Sequence, residues 1–204
     1  PFSQCDVFLI FGANPLVSLA VGGFDNRNPQ KRLKMAKARG MQLIAIDPRA
    51  TETARHADIH LQAYPGEDAS IAAGLLHIIL REGWEDRHFC ARHVDQLDAL
   101  RIAVQPFTPE YVARRAGVSA RQLFAAAKLF ATHARGQATS GTGPDMGPHS
   151  NLAEHLIECL NVVCGKFLRE GDAIPNPGPL SRRWPRKAQV IAAPRWWESG
   201  FKSR

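Results

Sequence analysis

A short apolar run, Asp6-Val-Phe-Leu-Ile-Phe11, ends at Gly12, and a second, Gln42-Leu-Ile-Ala-Ile46, ends at Asp47. Uninterrupted apolar runs bounded by turn residues describe strands buried on both faces. Between them, residues 30–39 read as a helix closed by Gly40. Strand, helix, strand is a βαβ unit, and no other feature constrains the fold as tightly. Such crossovers are right-handed and their strands parallel, so both strand ends lie at one edge of the sheet. The loops after Phe11 and Ile46 are therefore expected to be neighbours.

A third short strand, residues 57–61, leads into Pro65-Gly66-Glu67-Asp68 and a helix with apolar positions at Ile71, Leu75, Ile78 and Ile79. From Trp84 to Phe130 the pattern is helical, in segments 87–93, 96–104, 109–116 and 120–130. Thr108 before Pro109 is an N-cap with proline at the first helical position, and Gly117 stands where a terminating glycine belongs. Ser119 with Gln122 makes a capping box, flanked by Val118 and Leu123 as a hydrophobic staple. A last strand, 137–140, runs into Gly141-Thr142-Gly143-Pro144, and a helix over 150–164 is closed by Gly165. Beyond Gly171, Pro175, Pro177, Pro179, Pro185 and Pro194 interleave with Arg and Trp and exclude regular structure. Trp184, Trp196 and Trp197 of this arm are expected to lie on a surface supplied by other segments. The expected fold is α/β: a Rossmann-like, mostly parallel sheet with flanking helices (residues 1–168), followed by a Pro/Arg/Trp-rich extended C-terminal arm (169–204).

The net charge of +7 suggests nucleic acid until its distribution is read. From Lys166 onward nine Lys/Arg face three Asp/Glu, which leaves 17 basic and 16 acidic groups before it. The folded part is nearly neutral, which argues against a nucleic-acid partner. Lys31, Arg32, Lys34, Lys37 and Arg39 read as a solvated helix face. Cys5, Cys90, Cys159 and Cys164 form no C-x-x-C pair and read as reduced, mostly buried thiols rather than metal ligands. No apolar stretch approaches the roughly 18 residues a membrane span needs, and the chain reads as cytoplasmic. A core strand only a few residues from Pro1 suggests part of a longer polypeptide, on which an export signal would lie upstream.

Four polar turns, at 12–18, 47–51, 65–68 and 141–144, each follow a run read as a strand. In open α/β sheets ligands bind beyond the carboxyl ends of the strands. Gly12, Ala13, Gly66, Gly141 and Gly143 would let the backbone approach a ligand, and amides at helix starts favour phosphate. Asp47 and Asp68 offer carboxylates to a ribose hydroxyl or to the ring N–H and amino group of a guanine, while Arg49 and Thr51 offer phosphate donors. Each residue taken singly has a structural role open to it: Asp47-Pro48 as a turn, Asp68 as a helix cap, Asn14-Pro15 as a bend. Their shared edge favours a nucleotide site. G-x-G-x-x-G is absent, which argues against an ordinary NAD site, and no catalytic catalogue of nucleophile, base or metal ligands is seen. A non-catalytic nucleotide-binding module that regulates a partner protein is the alternative.

The same strings carry a resemblance. Asp6-Val-Phe-Leu-Ile-Phe-Gly-Ala-Asn-Pro15, Leu43-Ile-Ala-Ile-Asp-Pro-Arg-Ala-Thr-Glu-Thr-Ala54, Ala57-Asp58, Pro65-Gly-Glu-Asp68 and Cys159-Leu-Asn-Val-Val-Cys-Gly165 resemble molybdopterin oxidoreductases of the dimethyl-sulfoxide-reductase type. Within that family the chain is most similar to formate-dehydrogenase-like and acetylene-hydratase-like members. The resemblance implies a molybdenum enzyme with a bis(molybdopterin guanine dinucleotide) cofactor, of which this portion grips one guanosine and pyrophosphate. It carries the cofactor role to Gly12, Ala13, Asn14, Pro15, Ser18, Asp47, Pro48, Arg49, Thr51, Gly66 and Asp68, with Gly141 and Gly143 as a further contact. It places the molybdenum ligand and the [4Fe-4S] cysteines of the parent upstream, and a further cofactor domain downstream. The implied partners are the remaining domains of the parent enzyme and an electron-transfer subunit, and the portion alone is expected to be inactive.

Overall fold

The computed structural model describes residues 4–18 and 28–173. The chain divides into a unit of Pro1–Lys166 and a second of Phe167–Arg204. The larger unit is α/β, as expected. Its strands are β1 (Val7–Phe11), β2 (Gln42–Ile46), β3 (Ile59–Leu61) and β4 (Gly136–Ser140), all parallel, in the order β3-β2-β1-β4. Its helices are α1 (Pro15–Ser18), α2 (Pro29–Ala38), α3 (Asp68–Glu82), α4 (Arg87–His93), α5 (Leu97–Val104), α6 (Pro109–Ala116), α7 (Ala120–Thr132), α8 (Thr142–Asp145) and α9 (Ser150–Val163). Within the second unit the described residues close a turn, in which the Arg169 N–H donates to Asp172 Oδ2 and Asp172 N–H to Arg169 O. The rest of the extended arm, with Trp184, Trp196 and Trp197, lies outside the described residues.

Every residue of β1 is buried, because alternate side chains enter two different cores. Val7, Leu9 and Phe11 join Ile44 and Ile46 against α3, α7 and α9. Phe8 and Ile10 join Leu43 and Ala45 against Leu33 and Ala36 of α2. The period of two in a strand thus divides one apolar run between two layers. Helix α3 sits deepest, with 11 of its 15 residues buried.

Helix starts follow their caps. The Thr108 hydroxyl accepts the Tyr111 N–H, the Ser119 hydroxyl that of Gln122, and the Asp86 carboxylate that of Phe89. Two segments read as loops are instead single helical turns, α1 and α8. Pro15 presets φ at the start of α1, and the Asn14 carbonyl accepts from Val17 and Ser18. Strand β3 starts two residues later than its sequence suggests, because Asp58 leaves the ladder. Its backbone N–H donates to Leu43 O, while its side-chain Oδ2 accepts the Leu43 N–H at 2.7 Å and pairs with Lys37.

Strand β4 is an edge, and its outer side is closed by a side chain. Asn161 of α9, 5% exposed, accepts the Ala138 N–H at 2.7 Å and donates to Ala138 O at 2.9 Å. One amide group thereby stands in for a residue of a further strand. No helix among the described residues is long and apolar enough to cross a membrane.

Candidate functional site

The chain leaves β1 toward β2 and β3 and returns on the other side of β1 to form β4. That reversal puts the topological switch point between β1 and β4, and Phe11 pairs with both Ile46 and Ser140, so three strand ends are flush. The loop after β1 and the loop after β4 meet there. Gly12 N–H donates to Ile46 O at 2.8 Å, Gly141 N–H to Phe11 O at 3.0 Å and Gly143 N–H to Gly12 O at 3.1 Å. Gly12 has φ +54°, and a Cβ there would overlap Pro144 Cδ and lie 2.9 Å from Gly143 Cα. A Cβ on Gly141 would overlap that of Ala13. The close approach that demands small residues here is of loop to loop.

Asn14 fastens the first loop to the second. Its Oδ1 accepts from the Thr53 hydroxyl at 2.7 Å and the Thr53 N–H at 3.2 Å, and its Nδ2 donates to Glu52 at 2.7 Å. Thr51 is buried and its hydroxyl oxygen caps the 3-10 turn Ala54–His56 by accepting the Ala54 N–H. The backbone between is held by β3 and its continuation: His60 Nε2 bonds Asp47 O at 2.9 Å and Gln62 Nε2 donates to Pro48 O at 3.0 Å. Asp47 itself is buried, and its Oδ1 accepts the Arg49 N–H at 2.8 Å in an Asx turn. Its Oδ2 has no hydrogen-bond partner among the described residues. Pro48 and Arg49 are exposed, as is Ser18 at the end of α1.

The third turn delivers Asp68 to the first position of α3, not to its cap, which is Glu67. Burial pushes the Asp68 carboxyl above the ordinary carboxylate range, and the negative charges of Asp47 and Glu67 add to the rise. A small recess at the third turn is lined by Gly66, Asp68, Pro144, Pro148, His149 and Ala153. The expected neighbours are thus brought to one edge, although the side chains of Asn14 and Thr51 spend bonds on holding the loops. Thr53, Glu52, Pro148 and His149 belong to this edge and were not anticipated. The repeated threonine of Thr51-Glu-Thr53 and the Gly147-Pro148 turn were the available signals.

Glu154, also unanticipated, supports the fourth turn from α9. Its Oε2 accepts from the Ser140 hydroxyl at 2.7 Å, while Oε1 is buried with no hydrogen-bond partner among the described residues. Burial raises its pKa first, and the neighbouring carboxylates of Asp145 and Glu158 raise it further. A carboxyl raised in the folded state contributes stability below its unfolded value of about 4.5, and that contribution is lost as pH rises through the folded value. Glu154→Gln keeps the Ser140 bond and removes the charge. Its urea midpoint is expected to exceed that of the unchanged chain at neutral pH, with the difference closing below pH 4.5; equal midpoints at neutral pH would show that the charge is relieved in solution.

Among the described residues no group of three or more His, Cys, Asp or Glu is placed to hold a metal, and all four cysteines are free. The strand-end edge is the candidate site. The family model described as molybdopterin oxidoreductase matches residues 2–188. The chain belongs to the molybdopterin oxidoreductase family. Relatives of this chain include an F420-dependent formate dehydrogenase subunit alpha of Methanocaldococcus jannaschii, 27% identical over 84% of this chain and 24% of the relative. A second, F420-dependent formate dehydrogenase 2 subunit alpha of Methanococcus maripaludis, is 32% identical over 86% of this chain and 25% of the relative. Acetylene hydratase from Pelobacter acetylenicus superimposes with a TM-score of 0.74 at 27% identity, covering 86% of this chain and 24% of that structure. The molybdopterin oxidoreductase chain described here therefore spans about a quarter of the length of the relatives it matches.

Proposed function

We propose that this chain is the portion of a molybdenum-dependent oxidoreductase that grips the guanosine and pyrophosphate of one molybdopterin guanine dinucleotide. The observation that carries the reading is the pair Asp47 and Asp68, two carboxylates at the strand-end edge, one with an oxygen unpartnered among the described residues and the other raised by burial. A guanine presents a ring N–H and an amino group side by side and can bond a carboxylate twice. An adenine presents one donor beside an acceptor. The backbone of residues 12–15, Ser18, Thr51 and the exposed Arg49 would face ribose and phosphate, with Gly66, Gly141 and Gly143 leaving room for the chain's own loops and the ligand together.

When bound, the cofactor supplies the oxygen or electron transfer at molybdenum, and this chain supplies grip, orientation and exclusion of water. The ligand to molybdenum and any [4Fe-4S] cluster are assigned to other segments of the parent, since Cys5, Cys90 and Cys164 are buried and scattered. Relatives named as alpha subunits support partner subunits for the parent; an electron-transfer subunit is the partner proposed.

Titration of GDP and ADP into the chain tests the reading. GDP is expected to bind about tenfold more tightly than ADP or better, since a buried carboxylate left unpaired by adenine costs that much. Asp68→Asn is expected to weaken GDP about tenfold without lowering the urea midpoint, because burial disfavours the charge it removes. Since the ionised carboxyl is the acceptor, GDP affinity should fall on acidification from a higher pH than an ordinary aspartate would give. Preference for ADP would overturn the reading.

A further inference from the structure

The helices between β3 and β4 add no strand to the sheet, yet one of them holds the third turn. Tyr64 N–H donates to Ala116 O at 2.9 Å, at the end of α6. The Tyr64 ring covers Gly117 so closely that a Cβ there would lie 2.6–2.9 Å from three ring carbons. Arg115 Nε donates to Glu67 Oε2 at 2.6 Å and to Ser70 Oγ at 2.9 Å, and the Ser70 hydroxyl donates to the same Glu67 oxygen at 2.6 Å. Glu67 occupies the cap position of α3 but makes no side-chain cap bond; its carboxylate is turned to Arg115 and Ser70 instead. On the other side, Gly66 meets the ring of Pro148. The turn that carries Asp68 is thus held from outside the sheet, with Glu67 and Ser70 flanking Asp68 in sequence.

We infer that Arg115 is a positioning residue for the proposed dinucleotide site, keeping the Pro65-Gly66-Glu67-Asp68 turn in the conformation that presents Asp68. The inference rests on the guanine-dinucleotide reading above. The Arg115–Glu67 pair is partly solvated, with side chains 45% and 21% exposed, so its loss shifts the turn's population modestly. A roughly fivefold change in ligand affinity is the scale expected.

The test uses the full 204-residue chain and GDP as the probe. Arg115→Met is expected to weaken GDP binding roughly fivefold, with partial recovery in Arg115→Lys, and to speed hydrogen exchange of the amides of residues 66–69 while the thermal midpoint stays within a few degrees. Glu67→Gln separates positioning from charge. Removal of a negative charge beside an anionic ligand would by itself tighten binding, whereas loss of the latch weakens it. Weaker GDP binding in both Arg115→Met and Glu67→Gln, with the salt dependence of the unchanged chain, supports the inference. Tighter binding in Glu67→Gln, or unchanged affinity and exchange in Arg115→Met, overturns it. If the unchanged chain binds no guanine nucleotide, the dinucleotide reading fails and the assignment of Arg115 to it fails too, while the exchange measurement still reports whether Arg115 holds the turn.

Discussion

Replacing Asn161 with leucine is expected to lower the unfolding free energy by about 2–5 kcal/mol, as one buried N–H and one buried C=O lose their partners at a cost of roughly 1–3 kcal/mol each. The side chain is nearly isosteric, so little of the loss comes from a cavity. The groups abandoned are those of Ala138 on edge strand β4, whose outer side no other strand pairs among the described residues. A drop of that size in a domain of this length corresponds to a thermal midpoint lower by roughly 10 °C. Asn161→Asp should fare little better at neutral pH: the carboxylate still accepts from Ala138 N–H, but it then faces the Ala138 carbonyl as a second acceptor. Urea unfolding of both variants measures this. A loss below about 1 kcal/mol in Asn161→Leu would mean that another group replaces the amide at the edge.

Gly12→Val is expected to cost about 3 kcal/mol or more and to remove nucleotide binding with it. A β-branched residue at φ +54° is strained wherever it sits, and here its Cβ also overlaps the Pro144 ring and presses on the Gly143 backbone. Relief requires the loops after β1 and β4 to part, which displaces the amides of residues 12–15 from the edge. The loss therefore falls on stability and on affinity for GDP together, unlike Asp68→Asn, which should affect affinity alone. Gly143→Ala, pressing from the opposite side on Gly12 Cα at 2.9 Å and Gly12 O at 3.1 Å, should reproduce the effect in milder form. Circular dichroism melting and GDP titration of the Gly12→Val chain check both halves. Retained affinity would show that the first loop takes no part in binding.

The two central strands could be read from the sequence because they pack both their faces: β1 needs apolar residues at every position and β2 at every position after Gln42, and that is a local signal. The helices read at 109–116 and 120–130 were equally legible from their caps, which act within four residues, although the second runs on to Thr132. What the sequence withheld was long-range. Nothing local says that β4 returns beside β1, so the mutual contact of Gly12, Gly141 and Gly143 could not be inferred, and their glycines were read as space for a ligand when they are also space for one another. The bond from Asn14 to Thr53 spans 39 residues and joins the loops after β1 and β2, whose nearness the βαβ unit implies without naming the bond. Helices α1 and α8 have a single turn each, too short for any periodicity to show. Glu67 looked like one more polar turn residue, because its partner Arg115 lies 48 residues on, on a different helix.

The central claim is that one edge of the sheet, from Gly12 through Asp47 to Asp68, receives a guanine nucleotide. Amide chemical-shift mapping of the isotopically labelled chain during GDP titration tests it most directly. The largest saturable shifts are expected on residues 12–18, 47–53 and 66–69, with smaller ones at 141–149, and ADP at the same concentrations is expected to leave Asp47 and Asp68 little moved. Shifts confined to α2 or to residues beyond Lys166, or equal responses to the two nucleotides at Asp68, would contradict it.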